Sequence, residues 1–143
     1  MNINFWSGGL EMEWDIRKRS YYFSLGVLRL ANSFEGKRIH FSLVDQLLRS
    51  ATSVGANLVE ATAAHSRRDF IKFNEITLKS ANESKYWLYL SRDGLDVDKE
   101  EVKDLLNEAV EISRITGTIV VKLKKTKDPL PHVNEPIEAY LSF

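Results

Sequence analysis

The sequence predicts an all-α protein folded as an antiparallel up-down-up-down four-helix bundle. All three prolines lie at or beyond Pro129, so nothing between Asp15 and Lys127 forbids a helix. Within that interval the apolar residues recur every three or four positions, which places them on one face of a helix. The connections between the periodic segments are short, and short connections make successive helices antiparallel neighbours.

The first two predicted helices each carry one apolar line. The first is expected over about 15–35 and ends before Gly36. The second is expected to start at Ser42, where Ser42 and Asp45 form a variant capping box, and to fray near His65. The first line consists of Ile16, Phe23, Val27, Leu30 and Phe34. The second line alternates steps of three and four, as in the core of a bundle, through Val44, Leu47, Ala51, Val54, Leu58 and Ala61.

The third and fourth predicted helices follow the same pattern. Ser66 and Asp69 form a second capping box, for a helix capped by Gly94 at its C-terminal end. The fourth helix begins near Asp96 or Asp98, and its acidic first half and basic second half match the helix dipole. The third apolar line is Phe70, Ile71, Phe73, Ile76, Leu78, Ala81, Leu88 and Leu90. The fourth is Val102, Leu105, Ala109, Ile112, Thr116, Ile119 and Leu123.

These elements divide the chain into three parts. The four-helix bundle is expected over 13–126, between an N-terminal tail, 1–12, and an extended C-terminal tail with prolines, 127–143. No apolar run approaches the roughly 18 residues of a membrane span. The N-terminus also lacks the basic and apolar regions of a secretory signal, so we expect a cytoplasmic protein with no membrane contact.

Composition and motifs give no sign of catalysis. Twenty Lys and Arg against twenty Asp and Glu exclude a strongly basic or strongly acidic chain as a whole. The absence of cysteine excludes disulfides, thiolate zinc sites and cysteine nucleophiles. No histidine has a second histidine three or four positions away, and no Gly-rich phosphate loop or nucleophile elbow occurs. We therefore predict no catalytic residue, no metal, no cofactor and no enzymatic activity.

Surplus apolar residues predict self-association. A bundle needs one apolar line per helix, but the third helix also carries Tyr86, Trp87, Tyr89 and Leu90. The first helix adds Tyr21 and Tyr22, and the second adds Leu48 and Val59. A second copy of the chain is the simplest partner for this surface. The alternative is that the aromatic rings fill the ends of the bundle.

A polar line on the second helix has two interpretations. Arg49, Ser53, Asn57 and Glu60 share one side of that helix, opposite Ser80 and Glu83 of the third. We expect hydrogen bonds between Arg49 and Ser53 and between Asn57 and Glu60. We also expect an ion pair between Arg49 and Glu83. The line is either a binding or catalytic cleft or a packing network that fixes the helix register, and the second interpretation is favoured.

Basic clusters are the candidate nucleic-acid-binding residues. In an antiparallel bundle the first and third helices start at the same end, which the lysines at the end of the fourth helix also reach. Cations in a first turn oppose the helix dipole, which favours a functional role. The alternative is a solvated helix end. The predicted basic rim consists of Arg17, Lys18, Arg19, Arg67, Arg68 and Lys72.

The segments 46–60 and 66–73, continued by Ser80 and Glu83, resemble the signature of a protein family. These are the small bundle proteins encoded by the intervening sequences of bacterial 23S ribosomal RNA genes, also called the S23 ribosomal protein family. The resemblance covers about 13–126. It implies cytoplasmic bundles that form rings of five, with no established enzymatic activity. It further implies a relation to the accessory protein of diversity-generating retroelements, a basic pentamer that binds nucleic acid.

The residues that match the family motif are Arg49, Ser53, Asn57, Glu60, Phe70, Phe73, Ser80 and Glu83. Ala61, Asn74, Thr77 and Lys79 depart from the family pattern. Together, residues and resemblance predict a homo-oligomer, a pentamer by resemblance, that associates with RNA or DNA. The alternative is a protein-interaction or scaffolding module with no nucleic-acid role.

Overall fold

The computed structural model describes residues 9–35 and 40–125, with the backbone alone described for 9–15. Within these ranges the chain forms four α-helices and no strand. They are α1 (Gly9–Asn32), α2 (Phe41–Thr62), α3 (Arg67–Gly94) and α4 (Lys99–Lys125). Each helix packs against the next in chain order, and α4 packs against α1, which closes a four-helix bundle. The all-α prediction is confirmed.

The helix boundaries differ from the predictions mainly at the N-terminus. α1 begins at Gly9 rather than Asp15, so the last residues of the predicted N-terminal tail belong to a helix. Residues 1–8 and the predicted C-terminal tail lie outside the described residues. α2 begins after His40, whose side chain makes no cap hydrogen bond, and the predicted Ser42 box is therefore wrong.

The other two helix starts follow the sequence. The Oγ of Ser66 accepts a hydrogen bond from the backbone N–H of Asp69 at 3.1 Å, as the second capping box predicts. Asp98 caps α4, because its Oδ1 accepts from the N–H groups of Glu100 at 3.0 Å and Glu101 at 3.2 Å. Each bond satisfies a donor that the first helical turn would otherwise leave without a partner.

The core confirms the apolar lines of α1 and α2. All eleven predicted residues of these two lines are buried. On α4 the line is buried from Val102 to Thr116, whereas Ile119 and Leu123 are half-buried. Most of these residues form one main core cluster, whereas Ala61 packs with Phe70 in a second, smaller cluster that Leu123 also contacts.

The core face of α3 is polar, which the sequence analysis did not predict. Its buried residues are Phe70, Asn74, Thr77, Ser80, Ala81, Ser84, Leu88 and Ser91. Most of the predicted apolar line lies off this face: Leu90 is 40% exposed, and Ile71, Phe73, Ile76 and Leu78 are half-buried. Small hydroxyl side chains let α2 approach closely, and they keep their hydrogen bonds inside the bundle. An apolar periodicity does not detect such a face.

Candidate nucleic-acid interface

Two of the three α1 cations of the predicted basic rim are buried, and the third, Lys18, is half-buried. Because α1 begins at Gly9, residues 17–19 lie two turns inside the helix. Arg17 is 7% exposed and Arg19 is 6% exposed. The guanidinium of Arg19 binds Glu108 of α4 through two hydrogen bonds, Nη2 to Oε1 at 2.9 Å and Nε to Oε2 at 3.2 Å. This bidentate pair holds α1 against α4 and is not available to a phosphate.

Arg67 is also a structural residue. Its Nη2 donates to the backbone carbonyl of Leu123 at 2.7 Å. That carbonyl belongs to the last turn of α4, where the helix leaves acceptors unsatisfied and the dipole favours a cation. The bond shows that α3 starts where α4 ends, as the antiparallel topology requires.

The predicted rim is therefore not one surface. Glu108, which binds Arg19, and Leu123, which binds Arg67, are 15 residues apart on α4. At 1.5 Å per residue this corresponds to about 22 Å along the helix. The structure does not bring the α1 cations together with those of α3.

A smaller group of cations is exposed where α3 starts and α4 ends. Arg68 and Lys72 are exposed on α3, and Lys122 and Lys125 are exposed on α4. The ammonium of Lys72 lies 5.5 Å from the ring centroid of Phe73, within the range of a cation–π contact. We call Arg68, Lys72, Lys122 and Lys125 the basic end. Lys124 is not included because it pairs with Glu75.

The polar motif of α2 and α3 is a packing network in its centre. The Nδ2 of Asn57 donates to the carbonyl and the Oγ of Ser53 at 2.8 and 2.9 Å. The Oγ of Ser80 donates to the Oγ of Ser53 at 3.0 Å, which links the two helices. Thr77 adds a second cross-link through a 3.3 Å bond to the carbonyl of Val54. These bonds fix the register of α2 against α3.

Ser50 and Ser84 belong to the same network and were missed from the sequence. The Oγ of Ser84 donates to the carbonyl of Ser80 at 2.8 Å, and it lies 3.0 Å from the Oγ of Ser50. Ser84 follows Ser80 by one helical turn, a spacing that could have indicated a polar seam.

The charged members of the motif stay outside the network. Arg49 pairs with Asp45 of its own helix at 2.9 Å, and both side chains are well exposed. Glu83 accepts from the Nε1 of Trp87 at 3.3 Å, also within one helix. Glu60 is exposed. The predicted Arg49–Ser53, Asn57–Glu60 and Arg49–Glu83 contacts are wrong, because each side chain finds a partner one turn away on its own helix or faces solvent.

Neither a metal site nor a membrane-spanning helix occurs in the part of the chain that the structure describes. No cluster of three or more His, Asp or Glu side chains there has the arrangement to hold a metal ion. No described helix combines the length and the apolar character that crossing a membrane requires.

Fold and site define a small antiparallel four-helix bundle with a hydrogen-bonded α2–α3 contact and one basic end. Residues 12–118 match the family described as 23S rRNA-intervening sequence protein. The match spans more than half of the chain, which therefore belongs to that family.

A solved structure agrees with this assignment. It is a protein of unknown function from the S23 ribosomal protein family of Bacteroides thetaiotaomicron VPI-5482. The two chains are 33% identical, with a TM-score of 0.72, and the similarity covers 77% of this chain and 98% of the other. No curated protein matches significantly. Neither match names a diversity-generating retroelement, so that relation stays a prediction from the sequence.

Proposed function

We propose that this protein is a non-enzymatic homo-oligomer of helical bundles that associates with structured nucleic acid through its basic end. The observation that carries the proposal is the 2.7 Å bond from Arg67 to Leu123, which joins the start of α3 to the end of α4. Because of this bond, exposed cations of both helices lie at the same end of the bundle, although the chain as a whole is neutral. The expected location is the cytoplasm.

The chemistry of the basic end suits phosphate. Arg68 and Lys72 lie near the α3 N-terminus, where the helix dipole adds positive potential. No carboxylate of the described residues forms an ion pair with either side chain, although Asp69 is exposed in the same turn. An oligomer multiplies such a patch, which strengthens binding to an extended polyanion. The family description refers to 23S rRNA, which makes structured RNA the first ligand to test.

The test is binding of a structured RNA hairpin, and separately of duplex DNA, over a series of salt concentrations. Each lost phosphate contact flattens the plot of log K against log salt by about 0.9 for a duplex. The double substitution Arg68→Gln/Lys72→Gln is therefore expected to reduce the slope by about 1.8. Lys99→Gln/Lys103→Gln removes the same charge from the opposite end of α4 and serves as the matched control.

Two results would contradict the proposal. One is the absence of salt-dependent binding by the parent protein at low ionic strength. The other is an equal loss of affinity in the two double variants, because it would mean that net charge and not the basic end determines binding.

A scaffolding role without nucleic acid is the second candidate. The observation that favours it is the exposed aromatic surface of α3, where Tyr86 is 58% exposed, Tyr89 44% and Leu90 40%. A surface of this kind is typical of protein contacts. Light scattering at micromolar concentration tests self-association, including the pentamer predicted from the resemblance. An oligomer that binds neither RNA nor DNA would favour the scaffolding role over the nucleic-acid role.

A further inference from the structure

α4 carries a second line of residues beside its buried face. Val110 and Val121 are 43% and 52% exposed. They are eleven residues apart, which is about three turns, so they share one face of the helix. Arg114 and Gly117 lie between them and complete steps of four, three and four. This is the spacing of a seam between two packed helices, repeated on a partly exposed face of α4.

A groove of about 680 Å³ lies along the second half of this line. Gly117 and Val121 line it, together with the cations Arg114, Lys122 and Lys125. Because Gly117 has no side chain, the helix backbone is accessible there to a side chain of a partner. The surface therefore presents a gap at Gly117 and, one helical turn later, the exposed side chain of Val121.

The charges beside the line specify an orientation. Asp104, Glu111, Thr118 and Lys125 recur at steps of seven along one flank of the line, so this flank is acidic in its first half and basic at its end. In an antiparallel pair of α4 helices, Lys125 of each copy comes within about a turn of Asp104 and Glu111 of the other. In a parallel pair this flank would instead face the opposite flank of the partner's line, at Leu106, Ser113 and Val120, where no residue is charged. The charges are complementary only in the antiparallel arrangement.

We propose that this face of α4 is a contact between two copies of the chain, in which the α4 helices pack antiparallel with Val110 of each against Val121 of the other. In that register Arg114 lies opposite Gly117 and keeps its own ion pair with Glu111, Nη2 to Oε2 at 2.8 Å, so its charge stays compensated at the contact. The contact is isologous, because each copy contributes the same patch. It deepens the self-association of the proposed function, and it assigns Lys125 to this contact, which leaves Arg68 and Lys72 of the basic end to nucleic acid. If rings of five form, it joins two rings, since a ring is built from heterologous contacts.

Cysteine cross-linking tests the register directly, because the chain contains no cysteine. Positions 110 and 121 of one chain are about 16 Å apart along α4. A disulfide needs Cα atoms within roughly 4.4–6.8 Å, so only a contact between chains can oxidise this pair. A mixture of the Val110→Cys and Val121→Cys variants is expected to give a disulfide-linked dimer. Each variant alone is expected to give none, because its two cysteines also stay about 16 Å apart in the antiparallel register.

The control for random collision is the exposed Ala56 of α2, tested as Ala56→Cys mixed with Val121→Cys. Equal cross-linking in this mixture would overturn the proposal. So would a cross-link in Val110→Cys alone, which would indicate a parallel pair or another register.

Gly117→Arg provides an independent measurement. An added Cβ there meets only the Leu78 Cδ1 at an ordinary 3.8 Å, and replacing a mid-helix glycine raises helix propensity, so the fold should be kept. The side chain would occupy the groove. We expect the mass by light scattering to fall about twofold with no decrease in melting temperature.

The outcomes separate this inference from the proposed function. An oligomer whose mass Gly117→Arg leaves unchanged, and which forms no disulfide in the mixed variants, overturns the α4 contact alone. Loss of RNA retention in Gly117→Arg without a change of mass would mean that the groove binds nucleic acid, which also overturns it. A cross-linked dimer from a protein that binds no RNA or DNA overturns the nucleic-acid role alone.

Discussion

Two buried threonines give opposite predictions for the same substitution. Thr77 of α3 and Thr116 of α4 are both 0% exposed. The Oγ1 of Thr77 lies 3.3 Å from the carbonyl of Val54, to which it donates a hydrogen bond. The Oγ1 of Thr116 is buried and has no hydrogen-bond partner in the described structure. Valine has nearly the shape of threonine and a similar helix propensity, so the substitution to valine isolates the hydroxyl.

The magnitudes follow from the cost of burying a hydroxyl. A buried polar group without a hydrogen bond costs about 1–3 kcal/mol, so Thr116→Val is expected to raise the free energy of unfolding by about 1 kcal/mol or more. Thr77→Val loses a bond worth roughly 0.5–1.5 kcal/mol. The carbonyl of Val54 still accepts its backbone hydrogen bond within α2, so we expect Thr77→Val to lower the free energy of unfolding by only about 1 kcal/mol.

The assay is equilibrium unfolding in urea at one protein concentration, because self-association makes stability depend on concentration. The two midpoints should move in opposite directions at an unchanged m-value. A thermal scan should show shifts of roughly 2–4 °C per kcal/mol. Destabilisation by Thr116→Val as large as that by Thr77→Val would refute the reasoning, since it would mean that the Thr116 hydroxyl is satisfied.

Two further predictions concern the core and the α3–α4 end. Leu47→Ala removes a side chain that is 2% exposed and should lower the free energy of unfolding in urea by about 2–5 kcal/mol. Leu28→Ala, at a position that is 46% exposed, should change it by less than about 0.5 kcal/mol. Equal effects of the two substitutions would contradict the assigned core. Arg67→Gln removes the bond to the Leu123 carbonyl and should lower stability by about 1 kcal/mol in the same assay, while Arg68→Gln should leave stability nearly unchanged. The reverse ranking would show that Arg67 does not hold the end of α4.

The candidate site was predicted less completely than the fold. The exposure of Arg68 and Lys72 at the start of α3 agrees with the sequence argument. Arg17 and Arg19 are buried instead, because α1 begins at Gly9 and not at Asp15, which places both residues two turns inside the helix. No local pattern marks Gly9 as the start, and a carboxylate 89 residues away decides where Arg19 points.

The sequence by itself determined the four helices, because the apolar period of α1, α2 and α4 and the caps at Ser66 and Asp98 are local properties of the chain. The tertiary structure alone decided which face of α3 is buried. Ser80 and Ser84 are small enough to admit α2 and find hydrogen bonds across the contact, so burial costs them little, whereas Leu90 lies off this face and is 40% exposed. Partners of this kind are far apart in sequence, and only packing brings them together.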